Sequence, residues 1–383
     1  MPRKTILEDQ YFRWMRLGPW YAMFPMQFAL DSIEKYTKRG DAVLDPFMGR
    51  GTTLAAATML GRNSAGIEIN PIAWIYAQTK MHVADEQKVR ERLNEIAELA
   101  MRETITILPE FFEWCFCETV LKFLLTARRE LDWCNSVVDR TLMAIILVDL
   151  HGKESVSLSN QMRQTKAMAP GYSVDWWKKR EMRPRHTDPK SLLEAKITWR
   201  YRHGSPVHKT QSLALHGDST EILLNVQPIA PFKLLLTSPP YYKIINYNYD
   251  QWIRRWMLGG PDIPSFSAGK HESDFGHQEN YQTLLNDVFR AAIPLLQDKA
   301  SIVVRTDARD FTLQATLNAL ELAFPEKRLR RENRPVIGKT QTELFGDDGK
   351  KPGEIDLILT HRPSSLRRNI GISQVIGIST PRR

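Results

Sequence analysis

Residues 41–69 read DAVLDPFMGRGTTLAAATMLGRNSAGIEI, and the reading of this stretch decides the fold. DAVLDPF (41–47) is a short apolar, strand-like run, and SAGIEI (64–69) is another. Between them TTLAAATMLG has the composition of a helix, ended by Gly61. Strand, helix, strand is the opening unit of a parallel α/β sheet. Gly49 and Gly51 fall between the end of the first strand at Asp45 and a helix starting near Thr52. Glycine there lets backbone approach a ligand closely, and N–H groups at a helix start can face a carboxylate or phosphate. After the second strand comes Glu68, an acceptor placed to bind both ribose hydroxyls of an adenosine moiety. Each feature alone has a plainer reading, as a turn or a helix cap, and the spacing is not GxGxxG. The order strand, GxG, helix, strand, Glu makes the functional reading the better one.

Outward from this unit the pattern changes. Residues 85–150 are helical in period, through EQKVRERLNEIAELAMRE, FFEWCFCETVLKFLLTARRELD and VVDRTLMAIILVDL. From 151 to about 210 the chain is polar, basic and poor in periodicity. Strands resume with LALHGD (213–218), which places Asp218 and Ser219 at a third strand end, and FKLLLT (232–237). YQTLLNDVFRAAIPLL reads as a helix, and ASIVVRTD and EIDLILTHR read as two more strands. The simplest architecture is one α/β sheet in two parts, 1–84 and 211–363. They are separated by an insertion, 85–210, and followed by a basic tail, 364–383. Asp45, Glu68 and Asp218 would then line one crevice at neighbouring strand ends.

Composition bounds the class of protein. The 383 residues are 42% hydrophobic and 25% charged, as in a globular domain. The longest apolar run, LMAIILV, is too short for a bilayer span. Cys115, Cys117 and Cys134 are odd in number and lack zinc-site spacing, so reduced thiols in a cytoplasmic protein are expected. Lys and Arg outnumber Asp and Glu by 53 to 44, which points to a polyanionic partner.

TSPPYYKIINY (237–247) follows the apolar run FKLLL. Two prolines cannot continue a sheet, since neither donates an N–H, and three tyrosines at an open strand end have no evident core to fill. Such a segment suits a flat ligand. DPFMGRGTT (45–53) and TSPPYY (237–242) resemble the two hallmark motifs of the S-adenosylmethionine-dependent amino-group DNA methyltransferases. AMFPMQFALDSIEKYTKRGDAVLDPF (22–47) resembles the segment that leads into that family's glycine loop. The likeness covers 20–80, 213–250 and, more weakly, the strands to about 362. The order of glycine motif, recognition region and PPY motif resembles one known permutation of the family.

That resemblance implies a class I (Rossmann-like) methyltransferase fold, a mostly parallel seven-stranded sheet of order 3-2-1-4-5-7-6. It implies S-adenosyl-L-methionine as cofactor and double-stranded DNA as partner, and allows a cognate restriction endonuclease acting on the same site. The cofactor residues it implies are Phe24, Pro25, Asp45, Pro46, Phe47, Gly49, Gly51, Thr52, Thr53, Glu68, Ile69, Asp218 and Ser219. Ser238, Pro239, Pro240 and Tyr241 would be catalytic. An exocyclic base amine is a weak nucleophile because its lone pair is delocalised into the ring. The Ser238 hydroxyl and the Pro239 carbonyl would accept its N–H groups and aim the lone pair at the methyl group. The prolines fix the backbone, which is preorganisation. Tyr241 would stack on the base, which must therefore leave the duplex. Tyr242 and Tyr247 divide evenly between core packing and base contact. No metal and no covalent intermediate are required. Methylation at cytosine C5 needs a cysteine following a proline, and here the cysteines follow Trp114, Phe116 and Trp133. Serine at 238 resembles the N4-cytosine group, with N6-adenine as the alternative. An RNA or protein methyltransferase, or a DNA-binding protein without catalysis, is a more distant reading.

Between 151 and 210 there are 13 Lys or Arg against 5 Asp or Glu, a surplus of 13 − 5 = 8. NQMRQTKAMAPGYSVDWWKKREMRPRH (160–186) interleaves these cations with aromatics. The plainer reading is a solvated loop, which two adjacent tryptophans fit poorly. Arg163, Lys166, Tyr172, Trp176, Trp177, Lys178, Lys179 and Arg180 are therefore the candidate DNA contacts.

Overall fold

The computed structural model describes residues 11–19, 25–206, 209–227, 230–242, 247–264, 277–334 and 353–362. The basic tail expected at 364–383 lies outside them. Seven strands form one sheet: β1 (Ala42–Asp45), β2 (Asn63–Glu68), β3 (Ser212–His216), β4 (Phe232–Thr237), β5 (Leu296–Asp307), β6 (Lys327–Arg334) and β7 (Glu354–His361). Their order is β3-β2-β1-β4-β5-β7-β6, the order of a class I methyltransferase sheet. β7 runs antiparallel to both β5 and β6, and the other pairs are parallel.

The strands are apolar on both faces because both faces are covered. Successive side chains alternate. Leu44, Leu235, Ile302 and Val304 face one core, against the helices Gln278–Ala292 and Asp310–Ala323. Val43, Leu234, Leu236 and Val303 face the other, against the helices Met26–Tyr36 and Thr52–Met59. In chain order the helices are α1 (Tyr11–Met15), α2 (Met26–Tyr36), α3 (Thr52–Met59), α4 (Pro71–Met81), α5 (Glu86–Ala100), α6 (Glu110–Cys115), α7 (Glu118–Glu130), α8 (Val137–Asp149), α9 (Pro170–Lys178), α10 (Pro189–Tyr201), α11 (Ser219–Asn225), α12 (Tyr247–Asp250), α13 (Trp252–Met257), α14 (Gln278–Ala292) and α15 (Asp310–Ala323).

A third core lies among α4, the helices α5–α10 and α13. The segment that interrupts the sheet in sequence thus shares its packing with the helix that follows β2. Its basic part, which shows no clear period, contains two helices, α9 and α10. Each begins with proline at its first turn, and Asp188 caps α10 by accepting the N–H groups of Lys190 and Ser191. β6, KRLRRENR, has no apolar run to mark it. It is an edge strand, held by its pairing to β7 and by Arg334 on Asp356 at 2.7 Å.

Candidate active site

The C-terminal ends of β3, β2, β1 and β4 lie side by side, with Glu68 paired to His216 and Asp45 to Gly66 across the ladders. The loop after β1 turns on Gly49 and Gly51, at φ +51° and +81°. These are left-handed conformations, which a side chain disfavours. A Cβ on Gly51 would also stand 2.8 Å from the Cβ of Ala77 in α4. The loop is held from beneath by the fully buried Lys80, whose ammonium donates to the Arg50 carbonyl. Arg50 in turn donates to the Gly18 carbonyl at 2.6 Å.

Asp45 does not line the crevice as expected. It is 1% exposed, and its carboxylate accepts from the Thr237 hydroxyl (2.6 Å), the Phe47 N–H (3.1 Å) and the Thr53 hydroxyl. It therefore ties the ends of β1 and β4 to the start of α3. Burial pushes its carboxyl up to about 6, against the pull of those hydrogen bonds. Pro46, Gly51, Thr52, Thr53 and Ser219 are buried beside it. Ser219 donates to the Pro46 carbonyl, so these residues frame the crevice rather than line it.

Pro25 is exposed, and Phe47, Gly49, Glu68, Ile69 and Asp218 are partly exposed. Phe24 lies outside the described residues. Glu68 accepts the Asn70 N–H at 2.8 Å, and burial pushes its carboxyl up to about 7. Asp218 caps α11, accepting the Thr220 N–H at 2.8 Å and the Thr220 hydroxyl at 2.7 Å. These groups fit the cofactor that the resemblance implies. Bare backbone at Gly49 would suit one part of it, and the Glu68 carboxylate, an acceptor, would suit the ribose hydroxyls. Glu68 and Gly49, both partly exposed, would hold it.

Across the crevice, Ser238 follows β4 and is partly exposed, as are Pro240 and Tyr241, while Pro239 is buried. The Tyr241 hydroxyl donates to Glu354 Oε1 at 2.9 Å, at the start of β7. Burial pushes the Tyr241 phenol well above its usual range, the Glu354 charge adds to this, and the Ser238 hydroxyl on the same phenol opposes it. Arg305 on β5 approaches Glu354 at 3.6 Å and makes two hydrogen bonds to the fully buried Asp356, at 2.7 and 3.0 Å. Its guanidinium also sits 3.6 Å from the ring centre of Phe28 in α2. Neither Glu354 nor Arg305 was singled out by sequence, because the tyrosine and its partner are 113 positions apart. Tyr242 packs edge-on against Phe311 (4.7 Å) and Tyr281 (5.7 Å), which makes it a core residue. The Tyr247 side chain lies outside the described residues. Cys115 is fully buried, and burial pushes its thiol well above its usual range.

The candidate DNA contacts divide. Trp177 is a correction: it is 0% exposed and its indole donates to the Gln161 carbonyl at 2.8 Å, so it presents no face to a base. Trp176 is partly buried, with Arg180 4.2 Å above its ring. Lys178 bridges to Glu110, and Lys166 to Asp250 at 2.6 Å. Arg163, Tyr172, Lys179 and Arg180 are exposed.

Residues 8–78 match a family described as DNA methylase, comprising N6 and N4 methyltransferases. That match supports S-adenosyl-L-methionine as cofactor. The type II methyltransferase M.MjaII of Methanocaldococcus jannaschii is 36% identical over 77 residues, 20% of this chain and 14% of its own. The type II methyltransferase M.MthZI of Methanothermobacter thermautotrophicus is 34% identical over 114 residues, 29% of this chain and 30% of its own. The chain thus spans less than a third of the length of these relatives. Among solved structures, a putative rRNA methylase from Clostridium thermocellum overlays with a TM-score of 0.33 at 11% identity, covering 89% of this chain and 99% of its own. That overlay is too loose to bear on function.

Proposed function

We propose that this chain, whose residues 8–78 match the DNA methylase family, methylates the exocyclic N4 amine of cytosine in duplex DNA. The observation that carries this reading is Ser-Pro-Pro-Tyr at the end of β4, next to the glycine loop that follows β1. S-adenosyl-L-methionine supplies, when bound, a methyl group made electrophilic by its sulfonium. The chain's own residues supply position. The Ser238 hydroxyl and the Pro239 carbonyl accept the two amine hydrogens, and this returns lone-pair density to the nitrogen. Two prolines keep that carbonyl from turning away. Tyr241 offers a ring for the extruded base. Glu68 takes the ribose hydroxyls, and the glycine loop faces the amino-acid end.

Serine rather than aspartate at 238 favours cytosine N4. Adenine N6 is the second reading, since a neutral acceptor serves either amine. Tyr172, Lys179 and Arg180, exposed on α9 and just beyond it, would meet the phosphates with Arg163, and Trp176 would meet a base or sugar. Lys178 and Lys166 would first have to leave their carboxylate partners. The type II names of the relatives favour a cytoplasmic modification enzyme paired with an endonuclease reading the same site. The test is incubation with labelled cofactor and mixed-sequence duplex, then hydrolysis to nucleosides. Label in N4-methylcytosine supports the reading, label in N6-methyladenine moves it to the second, and no label in DNA overturns both.

A further inference from the structure

We propose that Lys80 is a positioning residue that makes the glycine loop a cradle for an anion, the carboxylate at the cofactor's amino-acid end. This role rests on the reading under which the loop faces that end, and it adds a fully buried residue of α4.

A carboxylate is an acceptor only, so a loop that receives one must turn its own carbonyl oxygens elsewhere. Four carbonyls around the loop have donors within the protein. The Pro46 carbonyl accepts the Ser219 hydroxyl, the Met48 carbonyl the Gly51 N–H at 2.9 Å, and the Gly51 carbonyl the Ala55 N–H at 3.1 Å. The fourth belongs to Arg50, and it accepts from Lys80 Nζ at 2.5 Å. Gly49 and Gly51, both at positive φ, flank Arg50. Their freedom would let the peptide between Arg50 and Gly51 turn over and aim its oxygen at the ligand. A fixed donor beneath selects the inward orientation. Of the four donors, Lys80 alone also brings a positive charge.

The rest of α4 keeps that donor in place. Tyr76, Ala77 and Lys80 are spaced to share one face of the helix. A Cβ on Gly51 would stand 2.8 Å from that of Ala77, and one on Gly18 would stand 2.3 Å from the Tyr76 ring. Arg50 closes the set by donating to the Gly18 carbonyl at 2.6 Å. The loop therefore cannot lift from α4 without breaking these contacts together.

A plainer role exists, because a lysine in the last turn of a helix complements the helix dipole. An exposed lysine would serve the dipole as well, and burying an ammonium is costly. Burial also holds the pKa of Lys80 well below the usual lysine range, so an anion beside the loop would favour its charged form.

The test is calorimetry on the full chain with two ligands, S-adenosylhomocysteine and S-adenosyl-3-thiopropylamine, which lacks only the carboxylate. Wild-type protein should bind the first at least about tenfold more tightly. Lys80→Met keeps an unbranched apolar stem and removes the charge. It should weaken S-adenosylhomocysteine by about 10- to 100-fold and leave binding of the amine unweakened. Lys80→Arg should recover part of the loss. Equal wild-type affinities for the two ligands would overturn the cradle, and that comparison needs no variant. So would a Lys80→Met protein that binds both as wild type does, or one that weakens both by the same factor, as a merely structural lysine would. Wild-type protein that binds neither ligand would instead overturn the cofactor reading on which the cradle rests.

Discussion

At Glu68, proton, fold and cofactor compete for one carboxylate. Burial raises its pKa to about 7, while the ribose hydroxyls it would receive are donors and need the ionised form. Lowering the pH should therefore weaken binding. If only the carboxylate binds, the dissociation constant is multiplied by about 11 at pH 6 and by about 1.1 at pH 8, a tenfold change worth about 1.4 kcal/mol. Glu68→Gln should bind about 1.5–3 kcal/mol more weakly than wild type at pH 8 and show no pH dependence, because a charged acceptor has been removed. The assay is calorimetry with 5′-deoxy-5′-methylthioadenosine, which keeps the ribose but has no titrating amine. Buffers of two ionisation enthalpies would count protons, and close to one should be released at pH 6 and close to none at pH 8. The same raised pKa acts on stability in the opposite sense. Its contribution is present below the ordinary carboxylate pKa and is lost as pH rises through about 7. Without ligand, the midpoint of Glu68→Gln should thus gain on wild type between pH 5 and 8. Affinity that is flat with pH, without proton release, and equal in the two proteins would refute the ribose assignment.

Other outcomes follow from the same site. Ser238→Ala should lower turnover by on the order of 100-fold with cofactor affinity unchanged, and loss of both together would displace Ser238 from the transfer step. Asp45→Ala should cost about 3 kcal/mol or more in urea unfolding, since two buried threonine hydroxyls and the Phe47 N–H lose their acceptor. A loss below about 1 kcal/mol would mean that these donors find other partners. Reversing Lys179 and Arg180 to Glu should weaken binding to specific and scrambled duplex alike. The salt slope should fall by roughly one unit for each phosphate that the protein no longer neutralises. Unchanged salt titrations would return α9 to an ordinary surface. Trp177→Ala should cost about 3–5 kcal/mol of stability, as deletion of a fully buried indole does, and an altered base preference in a protein of unchanged stability would count against its structural role.

The strand–helix–strand unit, the glycine loop and the Ser-Pro-Pro-Tyr turn were legible in sequence because each is local. A glycine that must adopt positive φ, or a proline pair that must end a strand, declares itself within a few residues. The apolar runs of β1, β4, β5 and β7 were legible for the same reason, being covered on both faces. Less was legible where partners are distant. The charged edge strand β6 carries no apolar signal, and only its ladder to β7 makes it a strand. The apolar period of α9 and α10 is weak, each being a short helix with few buried apolar side chains, although Pro170, Asp188 and Pro189 marked their starts. Burial separated Trp177 from Trp176, neighbours in sequence with opposite environments. It also made Asp45 a brace between β1, β4 and α3 rather than a ligand. The hydrogen bond of Tyr241 to Glu354 exists because an antiparallel β7 delivers its first residue to the crevice, and no local pattern encodes that. Sequence by itself determined which groups this chain could use for chemistry, through backbone preference and residue type. Only the tertiary structure decided which of them face the crevice and which hold it up, because burial and long-range hydrogen bonds are properties of packed elements.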